Sequence, residues 1–410
     1  VDRNFAHGEG CGIFVGREAI LAGYKTQFWG NGGVTTSGKN EGGGAISSID
    51  GIVKLTSCTL VNNTALVGGA IHFDRGGSAA IMSSVFKGNT ADQNGGAIAT
   101  TVKAKVTIAL QTSFESNVAH FGGAMAVSGT STITLTSVHF RSNQASEDGG
   151  ALFITDQATV TMKAGELAGN SAVLGGALYS DGQSATSISD AKFIKNVAFT
   201  RGGALYYQSI DNATITGITC KENTAPSGGC MFWVSKDEDL TPVHPCTSCT
   251  MEFNAVYDIA TNTRDVHVMW WPDNMTSGVP ILEPPDEESI EVIKPRNASL
   301  EKTMHVWPRL KAVDLYGQVE VLDNQTECMV SDGLCSEQTE RLLFEPRTIV
   351  RSTVGVISYR GASFTAANRT PEEGIYTTDI SCTLPGSEPR FFVQNVKLLP
   401  CQPGYSVNQG

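Results

Sequence analysis

One residue type sets the terms for the first two-thirds of this chain. Asparagine recurs at Asn4, Asn31, Asn63, Asn89, Asn117, Asn143, Asn170, Asn196, Asn223 and Asn254. The steps are 27, 32, 26, 28, 26, 27, 26, 27 and 31 residues. Three residues earlier sits a large apolar side chain: Phe28, Leu60, Phe86, Phe114, Phe140, Leu167 and Phe193. Two residues later comes Ala65, Ala91, Ala119, Ala145, Ala172, Ala198 or Ala225. A Gly-Gly-Ala triplet follows most of them, as in Gly122-Gly123-Ala124 and Gly149-Gly150-Ala151, and the last of the series is Gly228-Gly229-Cys230. A fixed step of this length is the mark of stacked, self-similar units.

Between the triplet and the next Phe, β-branched and polar residues alternate, as in Thr132-Ile133-Thr134-Leu135-Thr136. That period of two predicts short strands, and no segment keeps a helical period. A unit of about 27 residues made of short strands and glycine bends is one coil of a parallel β-helix. The expected fold is all-β: a right-handed parallel β-helix of about nine coils, roughly 43 Å long at one inter-strand spacing per coil. The Asn column is expected to form an amide ladder along the axis. Asparagine is also expected to take the left-handed backbone conformation at its bend.

The Phe-x-x-Asn and Gly-Gly-Ala-Ile pattern resembles the repeats of the polymorphic outer-membrane-protein family, over about residues 1–260. The resemblance implies a surface-exposed β-helical adhesin or passenger domain. The family's membrane-anchoring barrel has no counterpart here, so its outer-membrane location does not carry over. Similar repeats occur in large secreted or surface proteins of unicellular eukaryotes.

Composition changes near residue 235. Residues 1–235 hold 35 of 44 glycines and one proline, Pro226; the remainder holds 14 prolines. Charge shifts at the same place, from 15 Lys+Arg against 16 Asp+Glu to 14 against 25, giving the total of −12. An acidic chain lacks the basic face that a nucleic acid needs, so no nucleic-acid partner is expected. No apolar run reaches the ~18–20 residues of a membrane-spanning helix. The expected organisation is a β-helix over 1–271 and a Pro/Glu-rich linker over 272–296. An Ig-like β-sandwich follows over 297–400, with the start of a Cys-rich module over 401–410. The chain begins inside a repeat and reads as a segment of a longer protein.

Six Asn-x-Ser/Thr sequons, at Asn62, Asn212, Asn274, Asn297, Asn324 and Asn368, are candidate N-glycosylation sites. The ten cysteines are Cys11, Cys58, Cys220, Cys230, Cys246, Cys249, Cys328, Cys335, Cys382 and Cys401. An even number together with sequons points to an oxidising, extracellular or cell-surface setting, and all ten are disulfide candidates. Cys220 stands in the Phe column and Cys230 in the Ala column, so bridges there would staple the last coils. The pairing within the Cys220–Cys249 cluster has three possibilities. Part of a zinc site at His244, Cys246 and Cys249 is the alternative reading.

Polysaccharide-cleaving β-helices converge carboxylates and basic groups on one outward strip. Here Asp50, Asp74, Asp156 and Asp181 share no column in consecutive coils, and Arg75, Arg141 and Arg201 are scattered. His7, His72, His120 and His139 lack metal-ligand spacing, and Glu147-Asp148 reads as a solvated turn. No catalytic, cofactor or metal residue is assigned. One outward column is unusual: Phe153, Tyr179, Tyr206 and Phe232 follow one another in adjacent coils, continuing Ser47, His72, Ala99 and Ala126. It predicts an exposed contact stripe of about 15 Å, with the linker or the sandwich as its most natural cover. The functional reading is a non-enzymatic, filament-forming structural segment of a glycosylated surface protein, associating with itself or with neighbouring structural proteins. An adhesin is the second reading and a carbohydrate-active lyase or hydrolase the third.

Overall fold

In a computed structural model the chain is all-β. It describes residues 1, 3–4, 12–32, 42–236, 244–272, 290–293, 303–304, 306–335, 341–345, 349–359, 363–366, 374–385 and 389–399. Two units emerge, Val1–Ser235 with Pro242–Thr261, and Lys236–Thr241 with Asn262–Gly410.

The first unit is the parallel β-helix. Each coil adds one strand to each of up to four parallel sheets, which hold ten, nine, eight and six strands. The triplet sheet contains the residues after Gly-Gly-Ala, such as Met125–Val127 and Leu152–Ile154. The alternating sheet contains Lys105–Ala109, Thr132–Thr136 and their equivalents. The phenylalanine sheet contains Ser113–Glu115 and His139–Arg141. The fourth, after the ladder Asn, contains Val118–Ala119 and Gln144–Ala145.

Identical positions meet identical positions. Phe86 pairs with Phe114 and Phe114 with Phe140, with ring centroids 4.7 and 4.8 Å apart and the planes stacked. These rings are fully buried, and each contributes ~2–3 kcal/mol by area. Beside them runs the amide ladder. The Asn117 side-chain nitrogen donates to Oδ1 of Asn143 at 2.9 Å and to the Phe86 carbonyl at 3.1 Å. Its backbone N–H donates to that same Oδ1 at 3.0 Å. In turn, Asn117 Oδ1 accepts the backbone and side-chain N–H groups of Asn89, both at 3.0 Å. Every donor and acceptor of the primary amide is thereby used. The pattern starts at Asn4, which donates to Asn31, and runs to Asn254.

The ladder changes one expectation. The left-handed residue is the one before the ladder Asn: Gly30, Asn62, Gly88, Ser116, Ser142, Gly169, Lys195, Glu222 and Phe253, with φ between 53° and 64°. The ladder Asn must aim both its backbone N–H and its side chain at the next coil. The bend is therefore taken one position earlier, where Gly, Ser and Asn fit and where Lys195 and Phe253 cost about 1 kcal/mol each.

The two triplet glycines have separate reasons. Gly122 has φ +63°, and a Cβ there would lie 2.3 Å from the Met125 carbonyl oxygen. A Cβ on Gly123 would lie 2.3 Å from the carbonyl oxygen of Gly150 in the next coil. The first permits the turn and the second permits the stacking.

In the second unit, Asp265–Pro272 pairs antiparallel with Val306–Val313, which pairs with Val356–Ser358. The repeat thus ends by Thr261, and the boundary expected at 271 is corrected: 265–272 is a strand of the second unit. Similarly, Ile290–Ile293, expected in the linker 272–296, pairs in parallel with Arg390–Leu399. That strand belongs to a larger, mainly antiparallel sheet built on Gly374–Thr383. Small sheets of this kind are consistent with a sandwich. The 401–410 module lies outside the described residues.

Substituting Asn143→Leu orphans two buried N–H donors of Asn117. We expect it to lower stability by ~2–6 kcal/mol, read as a lower urea midpoint at unchanged slope. An unchanged midpoint would show that the amide contributes nothing.

Candidate functional site

The residue in the middle of each triplet-sheet strand forms the outward column. Its members are in register: Ser47, His72, Ala99, Ala126, Phe153, Tyr179, Tyr206 and Phe232. Phe153, Tyr179, Tyr206 and Phe232 stack at centroid distances of 5.1, 5.2 and 5.5 Å, with interplanar angles of 22°, 5° and 7°. The stripe is less exposed than expected. Phe232 is 0% and Tyr206 6% exposed, while Phe153 and Tyr179 are half-buried.

Within the first unit, part of the cover comes from the solenoid itself. Leu174 and Val234 pack against the Tyr206 and Phe232 cluster. The residues just before Gly-Gly form a rim column, Val67, Asn94, Phe121, Asp148, Leu174, Arg201 and Ser227, paired coil to coil. The chain folds back sharply here: a Cβ on Gly42 would lie 2.0 Å from Nδ1 of His72. Phe121 extends the aromatic stack, 4.9 Å from Phe153. The Arg201 guanidinium lies over the Phe232 ring, 4.9 Å from its centroid. Phe121 and Arg201 are absent from the predicted stripe because they belong to a different column. The signal was present in the recurrence of a side chain immediately before each glycine pair.

Asp148 departs from its reading as a solvated turn. Burial pushes its carboxyl up to about 6, and the neighbouring Glu147 carboxylate pushes in the same direction. A hydrogen bond with the Leu174 backbone and the His120 imidazole act against that. Tyr179 and Tyr206 are both raised, first by burial.

The other polar candidates do not converge. His120 Nδ1 lies 2.7 Å from Ser146 Oγ, and His139 Nε2 lies 2.5 Å from Gln111 Oε1 on another sheet. Asp156 and Asp181 do meet in adjacent coils, but their carboxylates accept backbone N–H groups. Gly129 donates to Asp156 at 2.9 Å, and Asp156 donates to Asp181 at 2.7 Å. Asp74 accepts the Thr101 hydroxyl at 2.7 Å and pairs with Arg75 at 3.1 Å. Asp50 pairs with Arg17 at 3.5 Å and Arg141 with Glu166 at 3.1 Å. His7 lies outside the described residues. Among the described residues, no three His, Cys, Asp or Glu side chains could hold one metal ion, and no helix is long and apolar enough to cross a membrane.

Three disulfides form: Cys220–Cys230, Cys246–Cys249 and Cys328–Cys382. The first joins the phenylalanine column to the triplet at the last coils. The second ties up both thiols of the zinc alternative. The third closes a 54-residue separation, for which chain entropy gives about 4 kcal/mol. Cys58, a disulfide candidate from sequence, is instead a buried free thiol. It occupies the small-residue column of Ser84 and Thr112, two positions before the Phe column, and its backbone N–H donates to Ser84 Oγ at 3.1 Å. Cys11, Cys401 and the Cys335 side chain lie outside the described residues. Among the sequon asparagines, Asn62, Asn212 and Asn324 are exposed, and Asn274, Asn297 and Asn368 lie outside the described residues.

Residues 83–101 match the sequence model of the Chlamydia polymorphic membrane protein repeat. The match covers 19 residues, the part of one coil from Ser83 through Phe86, Asn89 and Gly95-Gly96-Ala97 to Thr101. No curated protein and no solved structure matches the chain. The repeat match and the fold agree: the matched segment lies within a parallel β-helix, and its pattern is similar to the polymorphic membrane protein repeat.

Because the fold raises the Asp148 pKa, the folded state holds that proton more tightly than the unfolded chain. The contribution is present below about pH 4 and is lost as pH rises through about 6. With partial solvent screening the effect is ~1 kcal/mol. Asp148→Asn should raise the melting temperature at pH 7.5 and leave it nearly unchanged at pH 4. An equal shift at both values would remove the carboxylate as the cause.

Proposed function

We propose that this chain is a non-enzymatic structural segment of a glycosylated extracellular protein, with the β-helix serving as a rigid spacer. The observation that carries this reading is the amide ladder, unbroken from Asn4 to Asn254. It locks every coil to the next and leaves little freedom for bending or slip. The second unit is read as an Ig-like module, with the Cys328–Cys382 bridge in support. Three bridges support an oxidising compartment. The exposed sequon residues Asn62, Asn212 and Asn324 support glycosylation there.

Filament formation by self-association, or by contact with neighbouring structural proteins, is part of this reading. One end of the ladder is not open for it. The Asn254 side-chain N–H donates to the Asp258 carboxylate at 2.8 Å, so the last amide already has an acceptor. Assembly would use side-to-side contacts or other surfaces. The adhesin reading draws less support from the aromatic column. Its rings spend their faces on one another, which leaves mainly edges for a partner.

Secreted from a eukaryotic cell, the chain should lose mass on treatment with an amide-cleaving N-glycosidase. Asn62, Asn212 and Asn324 should then read as Asp by peptide mass spectrometry. No change of mass would reject the glycosylated, extracellular reading.

A further inference from the structure

The three disulfides differ in what they can do for the fold. Cys220 and Cys230 are each 0% exposed, and Cys328 and Cys382 are each 1% exposed. Those two bridges span sequence separations of 10 and 54 residues. Cys246–Cys249 spans a separation of only 3, and chain entropy gains least from the smallest loop. This bridge also reaches solvent, because Cys246 is 6% exposed and Cys249 is half-buried.

The place of Cys249 in the solenoid accounts for that exposure. It stands in the small-residue column of Cys58, Ser84 and Thr112, two positions before the phenylalanine column. Those three residues lie inside the rod and are buried. Cys249 instead leads into Thr250–Glu252, the terminal strand of the phenylalanine sheet, which has a neighbouring strand on one side only.

The loop between the two cysteines is held without the bridge. The Thr247 N–H donates to the Ile215 carbonyl at 2.9 Å, and the Thr247 carbonyl accepts the Gly217 N–H at 2.8 Å. The Thr250 N–H donates to the Ile218 carbonyl at 2.9 Å. Ahead of the loop, His244 donates from Nδ1 to the Cys246 carbonyl at 2.7 Å. Ser248 takes φ 55°, the same left-handed bend that Ser57, Ser83 and Ser137 make in coils with no bridge at this corner. The backbone of Cys-Thr-Ser-Cys is therefore fastened to the preceding coil and follows the ordinary geometry of the corner. Once reduced, the two thiols stay side by side, and their high effective concentration favours closing again. A bridge that the corner does not need, that solvent reaches and that can re-form has the properties of an exchange centre rather than a staple.

We propose that Cys246–Cys249 is a redox-active disulfide that exchanges electrons with a protein dithiol. A thiolate of the partner bonds to Sγ of Cys249, the more exposed of the pair. The Cys246–Cys249 bond breaks, and its electron pair leaves on Cys246, which takes a proton from solvent. The partner's second thiolate then bonds to the partner's first sulfur and releases Cys249, which is protonated in turn. The partner is oxidised to a disulfide and this chain is reduced to a dithiol. The same steps in reverse, with a disulfide partner, restore the bridge. This activity goes beyond the spacer reading and does not depend on it.

Dithiothreitol, a small dithiol, is the probe, offered to the full folded chain. Free thiols are alkylated at intervals and located by peptide mass spectrometry. We expect Cys246 and Cys249 to be alkylated at least ~tenfold faster than the cysteines of the other two bridges, which must wait for local opening. In guanidinium the gap should shrink to about threefold or less. The chain reduced at this bridge alone should keep its melting temperature to within ~3 °C and re-form the same pair in oxidised glutathione. Cys246→Ser and Cys249→Ser each leave one of the two thiols. Cys249 should take up glutathione from its disulfide at least ~fivefold faster than Cys246 does. Equal reduction of the buried bridges in the folded chain, a larger fall in melting temperature, or re-pairing with another cysteine would overturn the proposal and leave a structural staple. A gap that survives in guanidinium would overturn access as the cause of selectivity. Faster uptake on Cys246 would overturn the assignment of the attacked sulfur.

Discussion

The buried carboxamide of asparagine is the constraint from which the solenoid follows. A primary amide has two donors and two acceptor sites, and leaving any of them unpaired in a dry interior is costly. Here only the same group in the neighbouring coil, together with one carbonyl and one backbone N–H, can satisfy all four. Each coil must then sit at the same height and rotation relative to the next. Once that register holds, the rest is imposed. Phe lies on Phe, the second triplet glycine lies under a carbonyl, and the outward column stacks its rings in order. The ladder specifies the register, and the apolar stacks supply most of the driving force.

Much of this was legible because each coil repeats the same problem. The recurrence of Asn, the Phe three residues earlier and the triplet after it fixed the coil, the strands and the inward positions. What the sequence hid were relations between columns. Asparagine's tolerance of the left-handed region points to a bend on Asn itself, whereas hydrogen bonding to the next coil puts the bend on Ser116, Ser142 and their equivalents. The sequence does not reveal that Phe121, Leu174 and Arg201 pack on the aromatic stripe, because they belong to the adjacent turn and that column has no fixed residue type. The partner of Cys220 became evident only in three dimensions, where the phenylalanine column approaches the triplet.

The second unit was less readable for the same physical reason. It has no repeat, so no strand confirms another. A Pro-rich stretch was read as linker although it contains Ile290–Ile293, which pairs in parallel with the strand Arg390–Leu399 about a hundred residues later. Likewise Asp265–Pro272 follows the last coil directly, and its antiparallel partner Val306–Val313 lies more than thirty residues on. Pairing at that distance leaves no local signature beyond alternation, and alternation alone does not say which sheet a strand joins.

A ladder of oriented amides is also polar along its axis. Every amide-to-amide donation in the ladder runs toward the later coil, from Asn4 to Asn254, while the second N–H of each amide from Asn31 on donates to a carbonyl of the earlier one. The last amide therefore presents an unmatched donor, in the way that a helix presents unmatched groups at its termini. Asp258, four residues on, meets it with a carboxylate. A charged acceptor is a stronger partner than another amide, so the stack ends on its best available hydrogen bond. A terminal coil needs such a residue where interior coils need none, because they use the next Asn. The break in the 27-residue rhythm at the last step, 31 residues from Asn223 to Asn254, accompanies this change of partner. One carboxylate in reach of the final amide is thus enough to complete the hydrogen bonding of the ladder where the asparagines stop.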